Sequence, residues 1–262
     1  MRSGTAHPLS MSKARLVTEI IIVLGLSIGM SALYSVVNIA VRLSREQGLS
    51  TQTATLNRSA SELEWADFLY QTLGIVSSLV PVALVVFLLW NSQKPRLGAL
   101  GLDGTKPGRD FAAGVGLAAL IGIPGLGLYL LGRELDITVT VVPTALTTYW
   151  WTIPMLIALA LRAGILEEVI AVGYLFARLR TLGVSTWGII LIQSFLRASY
   201  HLYQGFGAFV GNFVMGLIFG WIYAKTGRLA PLIIGHTVID IVAFVGYPLA
   251  VSFMPEILGI VL

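Results

Sequence analysis

The residues able to do chemistry lie where a lipid-facing sequence should carry none. Glu167 and Glu168 stand side by side in LRAGILEEVIAVGYLFARLR, the stretch from Leu161 to Arg180. Arg197 with His201, and His236 with Asp240, are pairs four residues apart in two later apolar stretches. A charged side chain at bilayer depth costs at least ~2.5–3.5 kcal/mol on insertion scales. Adjacent carboxylates are not placed there for packing, so they imply a polar cavity within the membrane. Residues four apart share a helix face, so each pair can point at one centre. Arg162, upstream of the glutamates, reads as a counter-charge.

Glu, His, His and Asp together suit two chemistries. Glu167, His201, His236 and Asp240 can hold a divalent metal such as zinc with an open water position. Alternatively, they can bind and activate a water directly, a glutamate acting as general base while the histidines hold the water and the developing oxyanion. Each element also has a structural reading. His201 can be a satisfied core residue, His236 and Asp240 a packing hydrogen bond, and the glutamates a proton relay of a transporter. Depth argues against treating them separately. At ~1.5 Å per residue, Glu168 is about 15 Å from the basic end at Arg178. His236 and Asp240 are roughly 12 and 18 Å from the one at Arg228, and His201 about 22 Å from Thr186. All fall near the middle of a ~30 Å core.

Composition supplies the setting. The chain has 262 residues, 56% hydrophobic and 11% charged, and a mean hydropathy of +0.85. Soluble domains carry about 25% charged residues, so this reads as an all-α polytopic membrane protein. It contains no cysteine, which excludes disulfides and thiolate metal sites. The net charge of +4 comes from Lys and Arg between apolar segments. Topology accounts for them, and no nucleic-acid partner is implied.

The apolar runs predict seven to eight transmembrane helices: Val17 to Val41, Trp65 to Trp90, Phe111 to Leu131, Tyr149 to about Arg180, Thr186 to Tyr203, Phe206 to Ala224 and Leu229 to Tyr247. Pro248 to Leu262 is an eighth, short span or an interfacial helix. The first run is too long for a signal peptide and is read as retained. Leu43 to Glu64 is expected to be an exposed loop, with a short surface helix as the alternative. IGIPGLG suggests a kink in the third span, and GNFVMGLIFG in the sixth permits close helix contact. The basic connections (the N-terminus, 91–109, 178–185 and 225–228) fall on alternate sides, which places the N-terminus in the cytoplasm of a multi-pass cell-membrane protein. His7 lies in the polar tail and has no role. The organisation is a cytoplasmic tail at 1–16, N-terminal helices and loops at 17–109, and a core at 110–262.

EEVIAVGYLF, then RASYHLYQG, then GHTVID resemble the three motifs of the CPBP family, the CAAX prenyl protease and bacteriocin-processing intramembrane proteases. Their pattern runs EExxxR, FxxxH, then HxxxN or HxxxD, and the resemblance covers about Asp110 to Gly246. It implies an eight-helix fold and hydrolysis of a peptide bond in a membrane-embedded or membrane-anchored protein or peptide, at the lipid bilayer. By resemblance Glu167 activates the water, and Glu168 orients and tunes Glu167. His201, His236 and Asp240 hold water or metal, the last two supporting the oxyanion. Two positions depart: Val172 replaces the arginine of EExxxR, and Arg197 the phenylalanine of FxxxH. Arg197 is therefore expected to replace the missing cation and pair with a glutamate. The same departures leave open a catalytically inactive scaffold that regulates a membrane protein partner. A small proton-coupled transporter is a further alternative, without the internal repeat such proteins often show.

Overall fold

The computed structural model describes residues 12–90 and 97–253. His7 and the start of the polar tail, Lys94 and Arg96 of the basic loop, and 254–262 of the C-terminal stretch lie outside the described residues. The chain forms α1 (Lys13–Gly25), α2 (Ile28–Leu43), strand β1 (Thr53–Arg58), α3 (Glu64–Leu88), α4 (Pro107–Glu134), strand β2 (Thr140–Ala145) and α5 (Thr152–Glu167). A π-helical segment (Glu168–Tyr174) leads into α6 (Leu175–Thr181), followed by α7 (Thr186–His201), α8 (Phe206–Thr226) and α9 (Ala230–Ile241). A second π-helical segment (Val242–Gly246) leads into α10 (Tyr247–Phe253). Large apolar side chains such as Ile21, Val80, Ile123 and Trp187 point outward. In a polytopic membrane protein that is the lipid-facing surface.

Four described helices are long and apolar enough to cross a membrane: α3, α4, α8 and the run Ala230–Ala250. The pair α1–α2 makes a fifth if taken as one span, bent by 58°. The expected single first helix is thus broken. Ser27 donates its hydroxyl to the Val23 carbonyl at 2.6 Å, a side-chain bond that competes with the helical ladder. Seven to eight spans were expected. The segment 152–181 falls short because Arg162, Glu167 and Glu168 interrupt it, and α7 because it has 16 residues. By contrast, α4 continues through Pro124 without ending; a membrane helix tolerates a proline when neighbours satisfy the freed backbone groups.

Two connections between the expected spans contain strands. β1 and β2 pair in parallel, from Thr53 opposite Thr140 to Arg58 opposite Ala145. β-Branched Thr53, Thr55, Val141 and Val142 favour the extended backbone, a signal that the polar composition of the first connection obscured. Asp136 ties the same region together. It accepts from the Ser50 amide at 2.7 Å and the Ser50 hydroxyl at 2.6 Å, and these donors hold its carboxyl below the usual carboxylate range. Thr138 also bridges to Gly205, so three connections outside the basic set meet at one end of the bundle. At the other end the Leu229 amide donates to the Leu100 carbonyl at 3.2 Å. The alternation of loop charge matches this arrangement.

Glycines let the site-bearing helices touch. A Cβ on Gly164 of α5 would meet Thr237 Oγ1 at 2.5 Å and the Ile233 carbonyl at 3.0 Å on α9. One on Gly216 of α8 would meet Ser194 Cα of α7 at 2.7 Å. Beside it, Gln193 Nε2 donates to the Gly216 carbonyl at 2.6 Å. The small-residue contact expected for the sixth span is therefore between α7 and α8. Gly216→Val should destabilise the protein by about 1–3 kcal/mol or more through overpacking, read as a lowered unfolding midpoint in detergent.

Candidate active site

Three helical segments deliver the ionisable residues. Glu167 closes α5 and Glu168 opens the π-helical segment, whose side chains are all buried. Arg197, Tyr200 and His201 come from the last turns of α7, and His236 and Asp240 from α9. The second π segment begins two residues after Asp240. Both carboxylate-bearing helices therefore widen just beyond their acids, and such π segments are frequent at functional sites.

The two glutamates occupy different environments. Glu168 is fully buried, and Arg197 Nη2 donates to both of its oxygens at 2.7 Å. His236 Nδ1 lies 2.6 Å from Glu168 Oε1. A carboxylate can only accept, so Nδ1 carries the proton and the ring is fixed with Nε2 facing away from Glu168. The guanidinium of Arg197 is itself fully buried and stacks over the Phe219 ring, 5.6 Å from its centroid. Its reach to Glu167 is longer, 3.5 Å from Nη1 to Oε2. The expected pairing of Arg197 with a glutamate is thus present, principally with Glu168. Val172, where the family pattern has arginine, is sealed in the apolar core.

Glu167 is partly accessible. The Tyr200 hydroxyl donates to its Oε2 at 2.7 Å. His201 Nε2 stands 3.6 Å from that oxygen and His236 Nε2 stands 3.9 Å from it. Asp240 Oδ2 lies 3.6 Å from His236 Nε2. Glu167, His201 and Asp240 keep 14%, 20% and 18% of their side chains accessible, against none for Glu168. Neither ring nitrogen of His201 has a hydrogen-bond partner among the described residues. Gaps of 3.6 and 3.9 Å exceed a direct hydrogen bond, yet a water about 2.8 Å from each atom spans them.

All the residues singled out from the sequence are therefore gathered: Glu167, Glu168, Arg197, His201, His236 and Asp240. Glu168 contacts Arg197 and His236 rather than orienting Glu167 directly. Arg162 interacts electrostatically with Asp240 and forms no ion pair with the glutamates. Tyr200 was missed. Its signal was present, because it lies three residues after Arg197 and so shares that helix face, but a tyrosine in an apolar helix is unremarkable without its partner. Among the described residues no three His, Asp or Glu side chains converge as a metal ion requires. The Arg197 guanidinium also stands beside the oxygen that would ligate it.

Residues 149–242 match the family model of the type II CAAX prenyl endopeptidase, Rce1-like. This segment is similar to that family. It bears out the resemblance to the CPBP and CAAX proteases over less than half the chain, from just before α5 to the end of α9, and it holds every residue of the cluster. The Rce1-like match supports the general class of a CAAX-protease-type intramembrane endopeptidase. No curated protein and no solved structure matches the chain.

Proposed function

We propose that the protein is an intramembrane endopeptidase that hydrolyses a peptide bond of a membrane-embedded or membrane-anchored substrate, using a water activated by Glu167. The observation that carries this reading is the placement of Glu167 Oε2 3.6 and 3.9 Å from the Nε2 atoms of His201 and His236, in the accessible part of the cluster. Water bound among these atoms gives its proton to Glu167 as its oxygen attacks the substrate carbonyl carbon. The oxyanion forms beside His201 and His236, with Asp240 positioning the second ring. Collapse breaks the C–N bond, and the proton on Glu167 passes to the departing amine. Arg197 and Glu168 hold His236 from below and touch no substrate.

The valine at 172 weighs less against catalysis because Arg197 brings a guanidinium to Glu168 from another helix. Comparing membrane proteomes of wild type and Glu167→Ala tests the reading. A peptide cleaved only in wild type is expected. A partner that co-purifies equally with both forms, with no cleavage difference, would favour the scaffold. Tyr200→Phe removes the hydroxyl donated to Glu167. It should slow cleavage of that substrate by about tenfold or more, on the scale of the ~1.5–3 kcal/mol of a hydrogen bond to a charged group.

A further inference from the structure

Away from the acid cluster, a groove of about 510 Å³ runs between the start of α4 and the end of α8. Lys106 just before α4, Arg109 of α4 and Lys225 of α8 line its mouth, and all three side chains are exposed. None of them forms an ion pair among the described residues. Arg228, also at the groove, is engaged otherwise: it donates to Asp110 at 2.7 and 2.6 Å and to Asp103 at 3.0 Å. The Thr105 bonds, joined by Arg228, hold the Asp103 carboxyl below its usual range. Both neighbouring carboxylates are thus occupied, and the mouth stays net positive. The positive end of the α4 dipole opens at the same place.

Further along α4 the wall becomes apolar. Ala113 and Leu117 line it, with Ile222 from α8; at ~1.5 Å per residue they extend about 6–12 Å beyond Arg109. Gly116 leaves the groove open there, for nothing lies within 4 Å of where its Cβ would be. Cations at the mouth and an open apolar channel one to two turns deeper match a molecule with an anionic head and a hydrocarbon tail. We propose that this groove is a binding site for an anionic phospholipid of the leaflet on the basic side of the bundle. Pro231, in the first turn of α9, forms part of the wall, so a bound lipid braces the helix that carries His236 and Asp240. Basic pockets between membrane helices are a recurrent way of holding anionic headgroups.

The test needs no cleavage assay, so it stands apart from the peptidase reading. The full chain in an uncharged detergent is titrated with phosphatidylglycerol, phosphatidylcholine or inorganic phosphate while thermal unfolding is followed by tryptophan fluorescence. Phosphatidylglycerol alone should raise the midpoint. The K106Q/R109Q/K225Q variant should need roughly 100-fold more of it, about fivefold for each cation lost. Ala113→Trp, which fills the apolar channel and keeps every charge, should weaken the response as well. Equal stabilisation by phosphatidylcholine, or an unchanged titration in both variants, would overturn the proposal. A full response to inorganic phosphate would assign the mouth to a free anion instead. If the triple variant does not fold, the lipid selectivity of the wild type and the Ala113→Trp titration still decide.

Discussion

Arg197→Phe, which restores the residue type of the family pattern at that position, is expected to destabilise the protein by about 3–5 kcal/mol, the cost of leaving a buried carboxylate without its partner. Glu168 is fully buried, and Arg197 supplies both of its short cationic contacts at 2.7 Å. Without the guanidinium only His236 remains against it. Val172→Arg alone should also destabilise, since a second buried guanidinium would compete for one carboxylate among apolar neighbours such as Tyr174 and Leu175. The double variant V172R/R197F recreates the family arrangement, with the arginine four residues after Glu168. If Arg197 compensates for the missing arginine, the double variant should unfold at a higher temperature than either single one and recover measurable cleavage. A double variant as unstable as the sum of its parts would show that the arginine cannot be moved, and the compensation idea would fail. Interacting positions are where additivity is expected to break down, so the cycle measures the idea directly.

The second large effect separates the glutamates. Glu167→Gln should abolish cleavage, a loss of ~10²–10⁴-fold or more for a general base, while the unfolding midpoint barely moves. Its carboxylate is partly accessible, and an amide can still accept from Tyr200 at the 2.7 Å position. Glu168→Gln should do the reverse in order of severity. It removes the carboxylate paired with buried Arg197 at 2.7 Å and leaves only Glu167 at 3.5 Å, so stability falls by about 3–5 kcal/mol, and activity falls because His236 Nδ1 then faces a neutral amide in place of a carboxylate. Midpoints in detergent together with turnover of the peptide identified in the proteome comparison separate the two. Equal destabilisation by both substitutions would mean that the glutamates share one structural role, and Glu167 would lose its place as the base.

Both variants probe a distinction that no local reading of EE could make. Within the sequence, an ionisable side chain in an apolar helix is a signal in itself, because lipid makes it costly. That is why Glu167, Glu168, His201, His236 and Asp240 stood out, together with the all-helical polytopic class. The four-residue spacings assigned faces within a helix, and the departures at Val172 and Arg197 were sufficient to anticipate an ion pair from α7 to the glutamates.

Tertiary structure decided the rest, because it depends on which helices approach and how closely. With α5 packed on α9 at Gly164, Glu168 is fully buried against His236 while Glu167 stays partly accessible, although the two are adjacent in the chain. Tyr200 acquires its role only when α7 brings its hydroxyl to Glu167 at the end of α5. The parallel pairing of β1 with β2 joins segments separated by more than eighty residues, with two long helices between them. Neither strand stabilises itself alone, so a reading confined to neighbouring residues saw only polar loops. Periodicity and hydropathy report what one segment can bury, whereas the choice of partner is made by packing between segments remote in sequence.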